Sequence, residues 1–136
     1  MLQVPVSVEY GLRAMVYLAQ KHAGVRPIRA AEIASQEGLP LPFLQRLLAR
    51  LQRAGLVASS RGVHGGHRLA RLPEAIRVLE IVEALTAPIA QAPGPRLGLD
   101  FLWQRGLEAW RQALDVPLAQ LAREVEERER HYTYQI

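Results

Sequence analysis

Hydrophobic positions recur at helical spacing through the first third of the chain. Val8, Leu12, Met15, Val16 and Ala19 fall on one face of a 3.6-residue period, which predicts a helix from a Ser7 cap to about His22. Ala23-Gly24-Val25-Arg26-Pro27 ends it, since glycine and proline both oppose continuation. A short helix over about Ala30 to Glu37 is expected next, with Ile33 and Ala34 inward and Gly38 as its C-terminal cap. After the turn Leu39-Pro40-Leu41-Pro42, the residues Leu44, Leu47, Leu48 and Leu51 stand at i, i+3, i+4 and i+7. They predict a third helix, about Pro42 to Ala54, closed by Gly55. Either proline can open it, because the first helical N–H has no intrahelical partner to lose.

From Leu56 the period changes. Leu56 to Arg61 and His67 to Arg71 read as two short strands around the tip Gly62-Val63-His64-Gly65-Gly66. Pro73 is expected to open a further helix to about Leu85, with Ile76, Leu79, Val82 and Leu85 inward. Residues 87–98 carry three prolines and two glycines and read as a loop or linker. A longer helix is predicted over about Leu99 to Leu114, with Leu99, Leu102, Trp103, Trp110 and Leu114 on a shared side. Asp115-Val116-Pro117 interrupts it. A last helix runs to about Glu129, and the tail His131 to Ile136 is expected to fray. The fold class is therefore mainly α with a small β-hairpin. The expected organisation is a helix-turn-helix domain with that hairpin as its wing over 1–86, a linker over 87–98, and a helical region over 99–130.

Composition narrows the class. A chain of 136 residues with 49% hydrophobic content can build one real core. No apolar run is long enough to span a bilayer and no secretory signal is visible in Met1 to Tyr10, so a cytoplasmic location without membrane contact is expected. There is no cysteine, which removes disulfides, thiolate metal sites and cysteine nucleophiles together. The net charge of +4 is unevenly spread. Residues 1–73 hold ten Lys or Arg against three acids, a balance of +7, whereas residues 74–136 hold seven bases and ten acids, a balance of −3. A basic half joined to a mildly acidic half points to a polyanion-binding module fused to a part with another task. Of the 17 basic residues only Lys21 is lysine, and arginine's planar fork suits phosphate and guanine recognition.

Short helix, tight turn, second helix and glycine-tipped hairpin is the winged helix-turn-helix plan, whose second helix fits the major groove. With the leucine stripe facing the core, Pro42, Arg46, Ala49 and Arg53 lie opposite, flanked by Gln45 and Arg50. Gln45 and Arg46, near the helix start, are the candidates for reading bases. Ala49 can pack on a thymine methyl, and Arg50 and Arg53 are placed for phosphates. In the wing, Arg61, Gly62, His64, Gly65, Gly66, His67 and Arg68 combine three glycines with flanking arginines. Backbone can then approach a phosphate closely while a guanidinium enters a narrow minor groove. Taken alone, the third helix is also an ordinary amphipathic helix with a solvated basic face, and the wing an ordinary glycine-rich turn. Helix and hairpin in this order favour DNA.

Three stretches then resemble one family closely: Gly38-Leu39-Pro40-Leu41-Pro42-Phe43-Leu44-Gln45, Leu51-Gln52-Arg53-Ala54-Gly55-Leu56-Val57, and Ser60-Arg61-Gly62-Val63-His64-Gly65-Gly66-His67-Arg68-Leu69-Ala70. They are similar to the Rrf2 family of bacterial winged helix-turn-helix transcription regulators. Glu9 to Met15, Leu79 to Leu85 and Val116 to Leu121 also resemble family segments, so the likeness spans roughly residues 5 to 125. The resemblance implies a repressor that binds double-stranded DNA at a palindromic operator as a homodimer. It also implies dimerisation through the long helix, with Leu99, Leu102, Trp103, Trp110 and Leu114 in the interface. Members that sense iron or nitric oxide carry three cysteines in the loop before that helix. Here Pro88 to Gly98 has none, so no iron–sulfur cluster is expected. Pro40 and Pro42 stand where hydroxyl residues are common, Gln45 where glutamate is frequent, and His67 where tyrosine is usual.

The other candidates are weaker. His64 and His67 lack a nearby thiolate or carboxylate, so no metal site is expected. Nothing suggests an enzyme. The alternatives kept are a winged-helix module that docks a protein, and a repressor answering to a metal or small molecule; the effector is not named by the sequence.

Overall fold

The computed structural model describes residues 3–22, 26–86 and 98–134. The expected linker over 87–98, apart from Gly98, lies outside the described residues. Helix α1 (Val6–Gln20) leads into α2 (Ala30–Glu37) and α3 (Leu41–Arg53). The antiparallel strands β1 (Val57–Ser60) and β2 (Gly66–Leu69) form the hairpin, followed by α4 (Val78–Leu85), α5 (Asp100–Leu114) and α6 (Leu118–Tyr134). The expected class, mainly helical with a two-strand wing, is what the chain forms.

Local chemistry accounts for most boundaries. Gly38 closes α2 in the left-handed region at φ 66°, and its neighbour Leu39 donates its N–H back to the Ala34 carbonyl at 2.9 Å. Helix α3 starts at Leu41 behind Pro40, with Pro42 in its first turn, where a missing N–H costs nothing. Its four leucines, Leu44, Leu47, Leu48 and Leu51, are all buried. The hairpin register pairs Val57 with Leu69 and Ser60 with Gly66.

Several expected boundaries move. Ser7 is not the cap of α1: Pro5 precedes the helix and accepts from the N–H groups of Val8 and Glu9, while Ser7 Oγ donates to the Leu85 carbonyl at 3.4 Å. Helix α4 begins at Val78, not at Pro73, because the backbone before it is engaged elsewhere. The Val78 N–H bonds the Val116 carbonyl, and the Leu118 N–H bonds the Ile76 carbonyl, both at 2.8 Å. Glu80 then reaches back to accept the Arg77 N–H at 2.9 Å, half of a capping box. Within α4 it is Val78 and Ile81, with Val82 and Leu85, that are buried, and Leu79 is only half-buried. Helix α6 continues past His131, the expected start of fraying, to Tyr134, with Thr133 Oγ1 donating to the Glu129 carbonyl at 3.0 Å, and residues 135–136 lie outside the described residues.

One core runs through the described residues. Met15 of α1, Ile33 of α2, the α3 leucines, Leu56, Leu69, Ile76 and Ile81 share it with Leu118 and Ala122 of α6. The last helix is thus packed against α1 and belongs to the same hydrophobic cluster as the helix-turn-helix. Helix α5, in contrast, contributes no buried side chain. No described helix is long and apolar enough to cross a membrane.

Candidate nucleic-acid interface

Burial of the leucine stripe orients α3. Pro42, Gln45, Arg46, Ala49 and Arg53 are all exposed on the opposite face, and no acidic residue occurs in the helix. The Arg46 guanidinium lies 5.7 Å from the centroid of the Phe43 ring. Phe43 in turn meets Tyr10 of α1 edge-on, with centroids 5.7 Å apart and planes at 78°. A cation resting on an aromatic platform keeps its donors directed outward while losing fewer rotamers on binding. Arg50 behaves differently. It is half-buried and donates to the Ala84 carbonyl at 3.3 Å, so its charge serves the C-terminal end of α4.

The wing stands beside this face. Arg61, His64 and Arg68 are exposed, and Gly62 turns the tip at φ 101°. The paired glycines have an intramolecular reason that the sequence did not announce. A Cβ on Gly65 would sit 2.5 Å from the Ser60 carbonyl oxygen, and one on Gly66 would sit 2.7 Å from the Ile28 carbonyl. Gly66 must be bare because Ile28 pairs with His67 as a one-residue third strand, exchanging backbone bonds of 2.8 and 2.7 Å. This crowding is a second reason for the two glycines, beside the close phosphate approach expected of them. Arg29, next along from Ile28, donates to the Val63 carbonyl at the tip and so ties the wing to the start of α2.

His67 is half-buried in the sheet rather than displayed. Ser59 Oγ donates to Gln52 Oε1 at 2.9 Å and lies 3.0 Å from His67 Nδ1. With its proton given to Gln52, the hydroxyl is free to accept from a protonated His67 Nδ1. Burial pushes the His67 pKa below the ordinary histidine range. The chain Gln52–Ser59–His67 therefore links the end of α3 to both wing strands. Sequence reasoning missed Tyr10, Phe43, Ile28 and Arg29 as supporting residues. Only Phe43, an aromatic beside a basic helix face, carried a usable signal.

On α5, Leu99, Leu102, Trp103 and Trp110 are exposed and Leu114 is half-buried, with Trp103 66% and Trp110 43% accessible. They form one apolar side that is largely open among the described residues, with only Leu114 packed against the chain's own core.

A helix-turn-helix with an outward basic face, flanked by an arginine-bearing hairpin, defines a winged helix-turn-helix DNA-binding protein. The chain belongs to the Rrf2 family of transcriptional regulators: the family model, described as an iron-dependent transcriptional regulator, matches residues 5–124. It is 34% identical over 121 residues to the HTH-type transcriptional regulator CymR of Bacillus subtilis, covering 84% of each chain. It is 43% identical over 77 residues to IscR of Cereibacter sphaeroides, a match spanning 56% of this chain and 50% of that one. Among solved structures it resembles T. potens IscR, with 35% identity, TM-score 0.80 and coverage of 93% and 90%. The structure of B. subtilis CymR, described as the global cysteine regulator, matches with 34% identity, TM-score 0.80 and coverage of 91% and 98%.

The iron in the family description finds no fitting ligands here. The chain has no cysteine, the 87–98 stretch also lacks His, Asp and Glu, and no group of three or more such residues converges among the described residues. An iron–sulfur cluster held by thiolates has nothing to hold it.

Proposed function

We propose that this regulator is a repressor that binds a palindromic operator as a homodimer. The observation that carries it is the exposed, acid-free face of α3 beside an arginine-bearing wing. In this reading α3 enters the major groove. Gln45 and Arg46 read base edges there, Ala49 packs on a thymine methyl, Arg53 meets a phosphate, and Arg61 with Arg68 reaches the backbone or the neighbouring minor groove. Pro42, Gly62 and His64 lie at the contact surface, while Gly65, Gly66, His67 and Arg50 support its shape. The uncovered side of α5 supports dimerisation: a second copy would bury Leu99, Leu102, Trp103, Trp110 and Leu114 and place two reading heads in two-fold relation. Residues 1–86 with α6 then form the reading unit, and α5 the arm that joins two of them.

A salt-titrated mobility shift on DNA selected from a random pool tests this. Wild-type protein is expected to select an inverted repeat and to weaken steeply as salt rises. Arg46→Ala is expected to cost about 1–3 kcal/mol and relax preference at one position of each half-site, whereas Arg61→Ala weakens all sequences alike. Binding indifferent to salt and to both substitutions would overturn the proposal, and a co-purifying protein without DNA selection would favour the protein-docking alternative.

A further inference from the structure

A second basic surface adjoins the reading head only at the root of the wing, through Arg68. Where the end of α1 meets the root of the wing, a cleft of about 380 Å³ opens, within the range of small-ligand sites. Its floor is apolar, from Leu18, Ile28 and Leu69, and Lys21, His22, Arg26 and Arg68 stand around it. No acidic residue lines it. Glu32 balances Arg26 through a 3.0 Å ion pair, and Lys21 lies 5.7 Å from the Tyr17 ring centroid, so both cations are steadied while the surround stays positive.

The hairpin register places this cleft off the DNA-facing tip. Ile28 pairs antiparallel with His67, so the chain running back from Ile28 to Arg26 travels beside β2 toward its root, away from Gly62 and Val63. Arg29 points the opposite way, to the tip carbonyl of Val63. A phosphate held at the tip therefore leaves the cleft open.

We propose that this cleft binds a small organic anion: one carboxylate, sulfonate or phosphate head on an apolar one- or two-ring body. The head meets Lys21 and Arg26 on the side away from the wing tip, where the positive charge left after the Glu32 pairing gains from a counter-charge. The body covers half-buried Ala58, exposed Ala70 and the aliphatic stem of Lys21, whose accessible carbon gains from leaving water. Binding needs no DNA, so the site stands or falls apart from the repressor reading.

The test is calorimetric titration of the full chain with 2-naphthalenesulfonate and with its neutral counterpart 2-naphthalenemethanol, located by amide NMR shifts. The sulfonate is expected to bind at one saturable site at least about tenfold more tightly than the alcohol. Its shifts should centre on residues 18–22 and 68–70. Lys21→Gln combined with Arg26→Gln should weaken it at least about tenfold with the circular dichroism spectrum unchanged, and Arg105→Gln on α5 should not. No saturable binding to folded protein, equal affinity for the alcohol, or shifts centred on the wing tip or on Trp103 and Trp110 would each overturn the proposal.

Discussion

Gly66 and His67, adjacent in the wing, owe their places to the same contact. Ile28 lies so close to the hairpin that any Cβ at position 66 meets its backbone at 2.7 Å. Backbone cannot swing aside as a side-chain tip can, so Gly66→Ala is expected to destabilise the fold by about 1–3 kcal/mol. Urea unfolding measures that loss, and an unchanged midpoint would mean the Ile28 pairing is dispensable. His67 gives a pH signature. Its folded-state pKa is lowered by burial, so at alkaline pH the imidazole is neutral folded or unfolded and stability does not respond through it. As pH falls below roughly 6.5, the unfolded chain takes the proton first, and stability declines until the lower folded value is passed. His67→Gln should flatten that slope in urea midpoints taken between about pH 7.5 and 5. An equally steep slope in the variant would place the titrating group elsewhere. At this scale Gln45, Arg46 and Arg53 could be placed on the outer face of α3 from leucine spacing alone. The diversion of Arg50 to the Ala84 carbonyl could not, because its partner is 34 residues away.

At the scale of elements, α3 and α5 are opposites. The apolar stripe of α3 is wholly buried in its own chain, whereas the apolar side of α5 is not. Exposed indoles on one face are costly in water, which supports the proposed contact between two copies. Replacing Trp103 with Glu is expected to shift the protein toward monomer in sedimentation analysis at micromolar concentration. Protomer folding should change little, because the side chain is 66% exposed within the chain. A dimer of undiminished stability would remove Trp103 from the interface. Operator affinity should fall with the dimer, since two half-sites are then no longer engaged together. The helical spacing of Leu99, Trp103 and Trp110 was legible in the sequence, but whether their face met the chain's own core or remained open was not.

At the scale of the molecule, α6 decides where the unit ends. Leu118 is fully buried in the cluster built by α1 to α4, and its N–H is bonded to Ile76. Leu118→Ala is therefore expected to cost about 2–5 kcal/mol, as for other fully packed leucines. The unfolding transition should move as a whole, without a separate phase for the C-terminal region. A variant that loses only the helical signal of α6 while the remainder melts normally would show that α6 is an independent appendage.

Local rules determined what could be read without coordinates. The leucine spacing of α3, the cap at Gly38, the glycine-tipped hairpin and the lack of any thiolate each depend on neighbours within a turn or on composition. They were enough to give the winged helix-turn-helix, its outer face and the loss of cluster ligands. Tertiary structure alone decided the rest, because each of those features depends on groups far apart in sequence. Val116 and Leu118 claim the backbone before Val78 and delay α4. Ile28 forces the paired glycines. Tyr10 holds Phe43 beneath Arg46. The packing of α1 against the wing opens a basic cleft whose walls come from four separate segments, which no periodicity along the chain could bring together.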